Sequence, residues 1–74
     1  MENEIENYLK NKFKTRLQIE VKFIDFRNYK ILLYFQEDTA IINFIYDSNF
    51  DFNVNMEVLT KYCIEQIVQY YLGI

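Results

Sequence analysis

Apolar residues at Ile5, Tyr8, Leu9, Phe13 and Leu17 recur at three- and four-residue spacing, which predicts a helix over residues 2 to about 16 with one apolar face. Its charges suit the helix dipole, with Glu2, Glu4 and Glu6 early and Lys10, Lys12, Lys14 and Arg16 late. Glu6 and Lys10 add a pair one turn apart. From residue 18 the period changes to two. Ile19, Val21 and Phe23 share one side, Ile24 and Phe26 take the other, and the phase slip predicts a bulge near Phe23 and Ile24. A turn at Arg27 and Asn28 follows, because Asn accepts a left-handed backbone more readily than most residues with a side chain.

Residues 29 to 36 alternate cleanly, with Tyr29, Ile31, Leu33 and Phe35 against Lys30, Leu32, Tyr34 and Gln36. After a polar break at Glu37, Asp38 and Thr39, a third strand sets Ala40, Ile42, Phe44 and Tyr46 against Ile41, Asn43 and Ile45. So short a connection implies a hairpin. Residues 47 to 53 read as a loop, with Phe50 and Phe52 tucked against the core. A second helix then starts with Asn53 or Asn55 as N-cap and Glu57 in its first turn. Leu59, Cys63, Ile67 and Tyr70 form its inner stripe, flanked by Met56, Tyr62, Ile64, Val68 and Tyr71, and Gly73 supplies the C-terminal signal. The expectation is one α+β domain over residues 1–74, a three-stranded antiparallel meander in α-β-β-β-α order with helices packed on the sheet. The pattern leaves open which face each helix covers.

Composition narrows the chemistry. At 74 residues the core is small, and such scaffolds usually gain from disulfides, a metal or association with another chain. With Cys63 the sole cysteine and no histidine, an internal disulfide and an ordinary zinc site are excluded, so association stays open. Hydrophobic residues at 51% and aromatics at 19% argue for a folded chain. The longest apolar stretches, residues 30–35 and 39–46, fall far short of the roughly 20 needed to cross a bilayer. The acidic start lacks the features of a signal peptide, and a lone cysteine agrees with a cytoplasmic setting. A net charge of −3 disfavours nucleic acid as partner.

Catalytic equipment is sparse. Ser48 has no glycine-framed elbow around it, Cys63 falls on the core stripe of the second helix, and no histidine is available as a base. Asp25, Asp47 and Asp51 could meet at one end of the meander as an acid–base or hard-cation cluster, but aspartates at such positions ordinarily bind nearby backbone amides. One glycine gives no phosphate cradle. The lysines of the first helix, with Arg16, divide between flanks of its apolar stripe and read as a solvated helix end. The expectation is a protein that is not an enzyme and takes neither cofactor nor metal.

Apolar residues are in surplus. If Tyr29, Ile31, Leu33, Phe35, Ile42 and Phe44 face the helices, then Leu32, Tyr34, Ile41 and Ile45 remain on the far side with Ile24 and Phe26, so a helix must cover each face or another chain must. Tyr62, Tyr70 and Tyr71 likewise widen the apolar arc of the second helix, and tyrosine suits interfaces. The expected function is a non-enzymatic protein-binding module, its partner another protein or a second copy in a homodimer. The expected interface is Leu32, Tyr34, Ile41, Ile45, Tyr62, Tyr70 and Tyr71, and Glu37, Asp38, Asp47 and Asp51 form an acidic rim that steers a basic partner. In size, acidity and element order the chain looks like phage-encoded inhibitors such as anti-CRISPR proteins, which implies a block on a host nucleic-acid-handling protein. Two alternatives stand beside this one: a structural homo-oligomer or assembly subunit, and nucleic-acid binding through the basic helix end.

Overall fold

The computed structural model describes residues 1–14 and 17–73. In chain order these form α1 (Glu2–Lys12), β1 (Gln18–Asp25), β2 (Asn28–Tyr34), β3 (Thr39–Ile45) and α2 (Phe52–Leu72). The strands make an antiparallel meander with β2 in the centre, as the hydrophobic pattern predicts.

α1 stops earlier than its periodicity suggests. Phe13 leaves helical geometry, its N–H still donating to Leu9 O at 2.8 Å, and its ring packs against the core instead of continuing the helix. Arg16, the last cation of the expected helix, lies outside the described residues.

The bulge falls between Phe23 and Asp25, close to the expected phase slip. The turn is one residue earlier than expected, at Phe26 and Arg27, because Asn28 already belongs to β2 and closes the turn by donating its amide to Asp25 Oδ1 at 2.7 Å. Phe26 therefore carries the left-handed backbone, φ +45°, in place of the Gly, Asn or Asp usual in a two-residue hairpin loop. At the other hairpin the Phe35 N–H donates to Asp38 O at 2.8 Å, and the Phe35 ring leaves the sheet to stack on Tyr70 at 4.2 Å.

α2 starts before the predicted caps. Asp51 is the N-cap, its carboxylate accepting the Val54 N–H at 2.9 Å. Asn55 is instead buried inside the first turn. Its amide donates to the carbonyls of Asp47, Phe50 and Asp51, and its side-chain oxygen accepts the Asp47 N–H at 2.8 Å. That single residue holds the loop between β3 and α2, a role that its cap-forming tendency disguises in the sequence. Phe52 packs edge-on against Tyr8 at 6.0 Å, whereas Phe50 projects into solvent rather than tucking in. Gly73 ends the helix in the left-handed conformation, as expected.

The core joins Ile5 and Leu9 of α1 and Met56, Leu59 and Cys63 of α2 to Ile19, Val21, Tyr29, Ile31, Leu33, Ile42 and Phe44. Those strand residues share one face of the sheet, and α1 packs on β1 while α2 packs on β3. Both helices therefore cover the same face, and the molecule has two layers rather than a helix on each side. No helix among the described residues is long and apolar enough to cross a membrane.

Candidate protein-interaction surface

With both helices on one side, the other face of the sheet is open. Its cross-strand rows are Gln18, Tyr34 and Thr39; Glu20, Leu32 and Ile41; Lys22, Lys30 and Asn43; and finally Asn28 and Ile45. Leu32 and Ile41 are direct neighbours, Ile41 being 53% exposed. Tyr34 borders them, and its hydroxyl donates to Glu20 Oε1 at 2.6 Å. That bond raises the Tyr34 pKa above its ordinary value, with a smaller push from desolvation. Ile45, 65% exposed, is cut off from this pair by the lysine row.

Lys22 and Lys30 stand directly opposite each other. Like charges so placed repel, and among the described residues neither lies within ion-pairing distance of a carboxylate. The face is thus an apolar strip beside two opposed positive charges without an ion-pair partner among the described residues, which the sequence alone does not reveal because the two residues only meet through the register.

Phe26 was not among the expected interface residues. It is 79% exposed at the hairpin tip, with the Arg27 guanidinium 4.9 Å from its ring centre. A bulky residue with positive φ is a conformational outlier, costing on the order of 1 kcal/mol. The signal available in the sequence was an apolar residue next to a turn, which reads equally well as the end of a strand.

The tyrosines of α2 lie in the other layer, and of the three expected ones Tyr71 borders a depression with Tyr34, alongside Leu17, Gln18, Phe35 and Gln36, whereas Tyr62 and Tyr70 do not reach it. Tyr70 is half-buried in its stack on Phe35, and Tyr71 meets both rings edge-on at 5.1 and 6.3 Å. Tyr62 is exposed on a different flank of the helix.

The four acidic residues divide between the two ends of the sheet. Glu37 and Asp38 lie in the β2–β3 turn, where Asp38 accepts the Thr39 N–H at 2.8 Å. Asp47 and Asp51 lie at the opposite end, Asp47 accepting the Asn49 N–H at 2.9 Å and Asp51 capping α2. Asp25 is occupied by Asn28, and among the described residues no group of three potential ligands could hold a metal ion. The basic end of α1 is partly engaged, with Lys10 bonded to Glu6 at 3.1 Å and Lys12 6.0 Å from the centre of the Tyr8 ring.

Cys63 is fully enclosed, and burial pushes its thiol up to about 12. A thiol held protonated so far above neutral pH is a poor nucleophile. Ser48 accepts from the Arg27 guanidinium at 3.4 Å in an exposed loop. Neither forms a nucleophile–base pair in the described structure.

Compared with protein-family models, with curated proteins and with solved structures, the chain finds no match in any of the three.

Proposed function

We propose that the chain is a protein-binding module that docks through the open face of its sheet. The observation carrying this reading is the strip of Leu32, Ile41 and Tyr34 set against the opposed ammonium groups of Lys22 and Lys30. Charge complementarity favours a partner surface with apolar side chains flanked by carboxylates, since these would relieve the lysine repulsion while covering the strip. Such a partner differs from the basic one that net acidity suggests, because the carboxylates of this chain are spread over both ends and largely bonded to local amides. Protein binding also suits a chain whose buried thiol and isolated serine offer little to catalysis. Phe26 and Ile24 extend the surface at the hairpin end. A reducing cytoplasm is the setting this reading implies for a chain with one buried cysteine.

The test uses amphipathic peptides of matched hydrophobicity, one acidic and one basic. The acidic peptide is expected to shift the amide resonances of Leu32, Tyr34 and Ile41, with affinity falling as salt rises. Replacing Lys22→Glu and Lys30→Glu together should reverse the preference. A stronger response to the basic peptide, or shifts confined to α2, would overturn the proposal.

A further inference from the structure

The two edges of the sheet are unlike. The Tyr46 N–H donates to Arg27 O and the Phe35 N–H to Asp38 O, both at 2.8 Å, and this alternation aims the even-numbered peptide groups of β3 at β2. Ile41, Asn43 and Ile45 consequently aim theirs outward, away from the sheet. Residues 39 to 46 carry no charge and no proline, and they are rich in β-branched and aromatic side chains, so the usual protections of an edge strand are missing.

On β1 two of the corresponding N–H groups are occupied. The Val21 N–H donates to Glu6 Oε1 at 3.1 Å and the Phe23 N–H to Glu2 Oε2 at 2.8 Å. A second chain approaching that edge would find these two donors taken and the carboxylates of α1 in the way. Each molecule therefore offers one open edge and one that is closed.

We infer that β3 pairs antiparallel with β3 of a second copy about a two-fold axis at Asn43, joining two three-stranded sheets into one. In this register Ile41 faces Ile45 of the second copy, Ile45 faces its Ile41, and Asn43 faces its counterpart, each pair exchanging two backbone bonds. No charged side chains are opposed within the paired strands. The second copy also brings an isoleucine beside the Leu32 and Ile41 row, on the side where the chain's own Ile45 is displaced by the lysine row. Head-to-tail growth through β1 is barred, so the assembly stops at two chains.

α2 supplies more contact area. Gln66 and Gln69 border a depression with Asp38, Thr39 and Ala40 at the start of β3, which places that flank of the helix along the strand. Tyr62 and Val58 continue the same flank one and two turns earlier, both more than a third exposed. In the joined sheet the two α2 helices lie on one side with these flanks toward each other. This matters because edge pairing alone falls short of the roughly 1,200 Å2 typical of a stable interface.

This pairing does not rest on the docking proposed for the open face, and the two are separable. Sedimentation equilibrium of the full chain over a dilution series is expected to show a monomer–dimer equilibrium with no larger species. Asn43→Lys places like charges opposite each other at the axis and should weaken self-association by roughly tenfold or more. Its far-ultraviolet circular dichroism should stay unchanged, since residue 43 is exposed. Mixing Asn43→Lys with Asn43→Asp should restore dimers as a heterodimer. The Lys22→Glu and Lys30→Glu variant should keep the wild-type oligomeric state whatever its effect on peptide binding. A chain that stays monomeric to millimolar concentration, or a dimer indifferent to Asn43→Lys, would overturn the inference.

Discussion

Glu6 does two things with one carboxylate: it pairs with Lys10 and accepts the Val21 N–H, which ties α1 to β1. The hydrogen bond from Lys10, then that from Val21, holds its pKa below the ordinary 4.5, and burial opposes this only in part. Because the folded value is lowered, its contribution is complete above the unfolded value and disappears as pH falls through the folded one. Acid unfolding of the wild type should therefore draw on Glu6 from near pH 4.5 downward, and Glu6→Ala should flatten that limb. At neutral pH, Glu6→Ala is expected to cost about 1–2 kcal/mol by urea denaturation. Phe26 should respond in the opposite sense. Phe26→Asn relieves a strained backbone and should gain about 0.5–1 kcal/mol in the same assay while weakening capture of the acidic peptide. A loss of stability on that replacement would show that the ring is held for the fold rather than for contact.

At the scale of elements, the two edge strands show how an edge becomes open or guarded. Both set one apolar face on the core, but only β1 lies beneath a helix whose first turns carry glutamates spaced to reach successive outward amides. The double variant Glu2→Ala with Glu6→Ala frees those donors. It should convert a species limited to two chains into one that grows with concentration, measured by light scattering against wild type. Unchanged scattering would mean that the body of α1, rather than its carboxylates, shields β1. Cys63 makes a parallel point about helices. Its place on the inner stripe of α2 was legible from the spacing with Leu59, and the enclosed thiol confirms that position.

For the whole molecule, element order, the bulge and the meander were legible because each rests on local alternation that tertiary packing then reinforces. The N-cap was misplaced because Asp51, Asn53 and Asn55 are all plausible caps, and the choice is made by Asn55 finding three carbonyls and an N–H only after β3 is in position. The surplus of apolar residues could be counted from the sequence, but its division could not. Which face stays open depends on both helices choosing the same side, and the lysine opposition depends on a register between strands. The same dependence scattered the expected acidic rim, since turns at opposite ends of a strand cannot share a surface.

α2 buries Asn55, Met56, Leu59, Thr60 and Cys63, while beyond Cys63 no described residue of the helix is fully enclosed and the ring contacts are those of Tyr70 and Tyr71 with Phe35. A rod of 21 residues is about 31 Å long. Held by Asn55 near its start and by the Phe35, Tyr70 and Tyr71 rings near its finish, the rod keeps its enclosed contacts in its first half, so its last turns are expected to exchange amide hydrogens faster than its first.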